Sequence, residues 1–145
     1  KKFKKRYIKS PKLYFYDTGL VTWLLGIDSK ITLKNHFNLG NIFENWIISE
    51  YIKSRYNKGL LLNSYFWRDK VGHEIDLLVD NGNKLAITEI KSAKPFIINF
   101  LKNLEYLKKL SNNEITRTNL IFGGDQDHTR GKTNVYGWKS MQKAF

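Results

Sequence analysis

Cysteine is absent from the 145 residues, so no disulfide staples the chain and no thiolate can hold a metal. The absence agrees with a reducing, cytoplasmic setting, which is the expected location. No run of about 18 apolar residues occurs, which excludes a transmembrane helix. The basic start is not followed by an apolar core and a small-residue cleavage site, so no signal peptide is expected. Gly-x-x-x-x-Gly-Lys-Ser/Thr is missing too, and no ATP site of the Walker type is expected in this stretch. Internal repeats and low-complexity tracts are lacking. Acids are the scarce charge: 13 Asp and Glu stand against 25 Lys and Arg, a net charge of +12. Such an excess favours a polyanionic partner, nucleic acid ahead of an anionic membrane. A Lys-, Asn- and Ile-rich composition from an AT-rich genome would give the same excess without any partner. No amphipathic helix presents a clean Lys/Arg face, so attachment to a membrane is not expected.

What is present suffices for one domain over residues 1–145, with 41% apolar residues to fill a core. The first residue is not Met, and a fragment of a longer chain is expected. Residues 1–39 read as an N-terminal extension. Its start, KKFKKRYIKSPK, is a basic arm, either simply solvated or in contact with phosphate. Leu13–Tyr16 reads as extended. Asp17 and Thr18 can cap a helix to about Leu25, closed by Gly26, with Leu20, Trp23 and Leu24 as its anchors. The core, residues 40–122, opens with a helix from Gly40 to about Arg55, where Phe43, Ile47 and Tyr51 recur every four residues. Leu60–Trp67, Gly72–Val79 and Lys84–Ser92 read as strands, Phe96–Leu110 as a helix and Thr118–Phe122 as a short strand. Residues 123–145 read as a polar loop and a terminal segment. The fold class expected is α/β with a mixed sheet.

Residues 66–93, FWRDKVGHEIDLLVDNGNKLAITEIKSA, stand out as a hairpin carrying acids. Asn-Gly is a strong two-residue turn signal. With Asn81 and Gly82 as the loop, Asp80 pairs with Asn83, Asp76 with Ile87 and Glu74 with Glu89. Glu74, Asp76, Glu89 and Lys91 then share one face, with Asp76 and Glu89 as diagonal neighbours. Like charges among Ile, Leu and Val repel, so the arrangement calls for a cation. Carboxylate oxygens are the ligands Mg²⁺ or Mn²⁺ takes, and a nearby lysine can position or deprotonate a water or stabilise a transition state. Glu44 lies near the start of the preceding helix and faces its packed side or edge. A first-turn acid favoured by the helix dipole is the alternative for it. Weaker candidates are His73 and His128 as ligands and Arg68 as a phosphate contact. Tyr136 and Trp138 read as packing residues rather than a base-stacking platform.

Glu44, Asp76 and Glu89-x-Lys91, in this order on helix, strand and strand, resemble the PD-(D/E)XK nuclease superfamily. The resemblance implies a restriction-endonuclease-like core: helix, three-strand meander, helix, strand. It also implies Mg²⁺-dependent hydrolysis of DNA, with Glu44, Asp76 and Glu89 as metal ligands and Lys91 assisting the water. The superfamily's Pro before the Asp is replaced by Ile75. SPKLYFYDTGL, GNIFENWIISE, YFWRDKVGHEIDLLV and ITEIKSA look like a domain of unknown function at the C-terminus of bacterial and archaeal AAA+-like P-loop ATPases. That likeness covers nearly the whole chain and implies an N-terminal ATPase domain as a partner. The alternative function is a non-catalytic, DNA-binding or regulatory module of that ATPase.

Overall fold

The computed structural model describes residues 11–111 and 113–145, so most of the basic arm read from the sequence lies outside the described residues. Among the described residues three helices precede the sheet: α1 (Thr18–Leu24), α2 (Lys30–Asn35) and α3 (Leu39–Asn57). The Asp17 side chain caps α1 by accepting from the Gly19 and Leu20 amides, and Gly26 ends it in the left-handed region, as expected. The expected anchors of α1 are corrected, however. Leu20, Trp23 and Leu24 are 46%, 74% and 58% exposed, and the helix buries no residue. Its docking instead comes from Asn45 of α3, which accepts from the Phe15 amide and donates to the Phe15 carbonyl and the Thr18 hydroxyl.

After α3 come β1 (Ser64–Arg68), β2 (Glu74–Asp80) and β3 (Leu85–Lys91), then a 3₁₀ turn (Ile98–Leu101) leading into α4 (Lys102–Leu110), then β4 (Ile115–Phe122). The expected order of helix, three strands, helix and strand is therefore present. Leu60–Asn63 is not strand, and β1 begins only at Ser64. Residues 123–145 differ more. The expected loop and terminal segment hold β5 (His128–Arg130) and, across their junction, β6 (Thr133–Gly137), followed by a 3₁₀ helix, Trp138–Ala144. The sheet order is β1-β2-β3-β4-β6-β5; β3, β4 and β6 run parallel and the remaining pairs antiparallel. Local pattern misses β6 because its pairing partner, β4, is distant in sequence. Thr133, Val135 and Gly137 are buried there beside the central strand.

One sheet face packs on α4 through Ile75, Leu78, Ile87 and Leu120 against Leu104 and Leu107. The other packs on α3 through Leu77, Ile90 and Ile121 against Ile47, Ile48 and Tyr51. Each such Ile or Leu contributes about 1.5–3 kcal/mol by leaving water. This arrangement clamps the carboxyl ends of β3 and β4. Gly123 follows β4, and its amide donates to the carbonyls of Lys91 and Ala93. A Cβ at Gly123 would press into the Ser92 carbonyl. Gly123→Ala is expected to cost roughly 3 kcal/mol. A urea unfolding midpoint equal to the wild type's would refute this close packing.

Candidate functional site

The β2–β3 hairpin turns one residue later than its Asn-Gly signal suggests. Leu78 pairs with Ile87 and Asp80 with Leu85, and the Asn81 amide donates to the Lys84 carbonyl. Gly82 and Asn83 are thus the two loop residues. Gly82 has φ of +85°, and Asn83 does not enter the left-handed region. A positive φ at the first central position alone suits a Gly-first hairpin turn, where Gly meets no Cβ penalty. The pairing sum moves by two residues, so every side chain keeps its expected face of β3. The continued register sets Glu89 across from Asp76 rather than from Glu74.

The shared face is corrected as well. Between the pairs Tyr65–Leu78 and Trp67–Ile75, β1 contributes one residue and β2 contributes two, Asp76 and Leu77. This bulge breaks the alternation, since Ile75 and Leu78 both face α4. Asp76 sits at the break, and its Oδ2 accepts from the Ile90 amide at 2.8 Å. Glu89 belongs to the α4 face, where the Asn103 side chain donates to its Oε1 at 3.4 Å. Glu44 belongs to α3, on the opposite side. Asp76 therefore joins two half-sites instead of completing one flat cluster.

In the first half-site the Lys91 ammonium lies 2.6 Å from Glu89 Oε1 and 4.0 Å from Asp76 Oδ2. In the second the Lys12 ammonium lies 2.9 Å from Glu44 Oε1 and 3.6 Å from both Glu74 Oε1 and Asp76 Oδ1. Tyr14 donates its hydroxyl proton to the same Glu44 oxygen at 2.6 Å. Glu44 stands in the second turn of α3, which begins at Leu39, so a first-turn dipole role does not explain it. Lys12 and Tyr14 were missed in the sequence. The available signal was their period of two in an extended segment, which turns both side chains to one side.

Burial dominates the electrostatics. Asp76 and Glu89 are 3% and 0% exposed. Burial, and then repulsion from Glu44, pushes the Asp76 carboxyl up to about 6, against the pull of Lys91, the Ile90 amide and Lys12. Burial, and then repulsion from Asp76, pushes Glu89 up to about 7, against Lys91 and Asn103. Burial alone would lower Lys91, but Glu89 and Asp76 outweigh it and raise its pKa. Lys12 is likewise raised, its burial outweighed by the Glu44 hydrogen bond and the surrounding carboxylates. Glu89 Oε2 is buried without a hydrogen-bond partner among the described residues. A buried carboxylate oxygen left bare is costly, and a cation would satisfy it.

Among the described residues no three His, Cys, Asp or Glu side chains are already gathered as a metal cage. Mg²⁺ commonly takes one or two protein carboxylates and completes its shell with water, so Asp76 and the bare oxygen of Glu89 fit such an ion. The weaker candidates lie outside this group. His73 bonds Asp69 at 2.9 Å and stacks on Tyr106. His128 lies in β5, not a flexible loop, with its ring edge-on to Phe96. Trp138 packs against Trp46, as expected of a packing residue. Arg68 is exposed, 3.8 Å from Glu74.

No helix among the described residues is long and apolar enough to cross a membrane. Uncharacterized proteins of Mycobacterium bovis and Mycobacterium tuberculosis are each 34% identical to this chain over 87 residues. The match covers 60% of this chain and 19% of each relative, so the chain corresponds to about a fifth of their length. A family model described as a domain of unknown function, DUF4143, matches residues 39–141, the stretch that carries Glu44, Asp76, Glu89 and Lys91. The chain belongs to the DUF4143 family.

Proposed function

We propose that this chain is a restriction-endonuclease-like domain of the PD-(D/E)XK type that hydrolyses DNA phosphodiester bonds with Mg²⁺ or Mn²⁺. The observation that carries the reading is the buried Asp76–Glu89 pair, with Lys91 beside it and one Glu89 oxygen unpartnered. The order of helix, three antiparallel strands, helix and parallel strand supports it, and so does the net charge of +12.

Asp76 and Glu89 would hold the ion, with Glu44 as the third ligand, reaching Asp76 from α3. Bound there, the ion would supply a Lewis acid and lower the pKa of a coordinated water. The chain's own residues do the rest. The Ile90 amide fixes the Asp76 carboxylate, and Asn103 and Lys91 fix Glu89. Lys91 keeps its proton at neutral pH, so it acts as a positive charge beside the scissile phosphate and not as a base. In a longer chain the domain would follow a P-loop ATPase and act on DNA in the cytoplasm.

The same geometry supports a second reading. Lys12 and Lys91 already partner the acids without any ion, which suits a non-catalytic DNA-binding or regulatory module. Incubation of plasmid DNA with the protein and Mn²⁺, against EDTA and against Asp76→Asn, separates the two. Cleavage that needs the ion and is lost in Asp76→Asn supports the nuclease. Salt-dependent DNA binding without cleavage or Mn²⁺ binding, unchanged in Asp76→Asn, supports the module instead.

A further inference from the structure

Lys12 occupies a place in the site for which the fold offers an unusual amount of negative charge. Its ammonium lies within 3.6 Å of carboxylates from α3 and β2 at once: Glu44, Glu74 and Asp76. Two of these, Glu44 and Asp76, are ligands in the metal-dependent reading, on which this inference rests. An ammonium and a divalent ion cannot both sit among the same oxygens, since Mg²⁺ requires them at about 2.1 Å. We propose that Lys12 is an internal counter-ion that competes with the divalent cation for Glu44 and Asp76, and so sets the cation affinity of the site.

The surroundings of Lys12 suit an exchange. Asn45 holds the backbone of Phe15 through both its amide and its carbonyl. Tyr14 remains tied to Glu44. The lysine can therefore withdraw by moving its own side chain, without undocking the segment behind. Its side chain is 27% exposed, so an exit to solvent exists. The Phe66 ring lies 4.2 Å from the ammonium and offers a cation–π partner beside the acids. Lys91 differs in this respect: it lies on the other half-site, bound to Glu89, and makes no ion pair with Glu44. The two lysines thus divide the work. Lys91 stays beside the reacting phosphate, and Lys12 keeps the acids partnered when no cation is bound.

Lys12→Met removes the charge and keeps the length of the side chain, and Lys12→Arg keeps the charge. Mn²⁺ binding to the full chain at neutral pH is measured by calorimetry, and thermal unfolding is measured with and without Mn²⁺. Lys12→Met is expected to bind Mn²⁺ at least about tenfold more tightly than wild type. Its metal-free unfolding temperature should be lower, and saturating Mn²⁺ should raise it further than it raises the wild type's. Lys12→Arg should stay close to wild type in both. Equal or weaker Mn²⁺ binding by Lys12→Met overturns the counter-ion role and leaves the metal-dependent reading standing. No Mn²⁺ binding by any of the three proteins overturns both. If Lys12→Met folds only with Mn²⁺ present, the exchange is supported; if it stays unfolded at saturating Mn²⁺ while Lys12→Arg folds, the lysine is a structural ion pair and the proposal fails.

Discussion

Lys91→Met is expected to lower Mn²⁺-supported DNA cleavage by roughly 10²- to 10³-fold, the loss typical of removing one preorganised charge from a reacting oxyanion. The position of the lysine dictates this outcome. Its ammonium is held 2.6 Å from Glu89 and 4.0 Å from Asp76 at the end of β3, and Gly123 packs directly behind that strand end. Because its neighbours raise its pKa, Lys91 is charged throughout the neutral range. Single-turnover cleavage at saturating DNA should therefore not climb as Lys91 titrates above pH 10. Lys91→Arg should retain more activity than Lys91→Met, because charge and not proton exchange is what the reaction draws on. Circular dichroism and Mn²⁺ binding should be preserved in both variants. A rate that rises steeply towards pH 10, with Lys91→Arg as inactive as Lys91→Met, would identify the lysine as a base instead.

Glu89→Gln is expected to abolish cleavage and yet make the metal-free protein more stable at pH 8. The sign follows from the direction of the shifts. Glu89 rises from 4.5 to about 7 and Asp76 from 3.8 to about 6, each chiefly through burial. Both carboxyls thus bind a proton more tightly in the folded chain than in the unfolded one. Their contribution to stability is complete below about pH 4 and is lost as pH rises through about 6 and 7. For Glu89 the loss is on the order of 3 kcal/mol. The metal-free wild type should unfold roughly 5–10 °C lower at pH 8 than at pH 5 on this account. Glu89→Gln should show a flatter profile and cross above the wild type near pH 7. Lys12 and Lys91, with raised pKa values, lose their contribution only in alkali and do not alter this window. Mn²⁺ should restore the wild type at pH 8 and leave Glu89→Gln nearly unmoved. Parallel pH profiles for the two proteins would show that the Glu89 charge is not stored in the fold.

Much of the site was legible because alternation in strands and a period near four in helices are local properties. They placed Asp76, Glu89 and Lys91 on adjacent strands and Glu44 on the packed helix. The hairpin shows how such reasoning survives an error. Asn81-Gly82 and Gly82-Asn83 both satisfy a two-residue turn, and the chain takes the second. The difference changes the partners but preserves parity, so Glu89 and Lys91 keep their face. The bulge at Asp76 had no sequence signal. It arises from the pairing of β2 with β1, and it decides that Asp76 bridges two half-sites instead of lying flat among the other acids.

The sequence by itself determined the order of the elements in residues 40–122 and which helix and strands carry Glu44, Asp76, Glu89 and Lys91, since each depends on neighbours a few positions away. Only the tertiary structure decided what surrounds them. Lys12 and Tyr14 reach Glu44 from about thirty positions upstream, because Asn45 ties their segment to α3. Strand β6 exists because β4 offers it an edge, and α1 turns Trp23 outward because its docking runs through Asn45 rather than through an apolar stripe. The charge on Asp76 and Glu89 is likewise a property of the assembled fold: the residue types name a carboxylate, while burial by two packed helices sets how strongly it holds a proton.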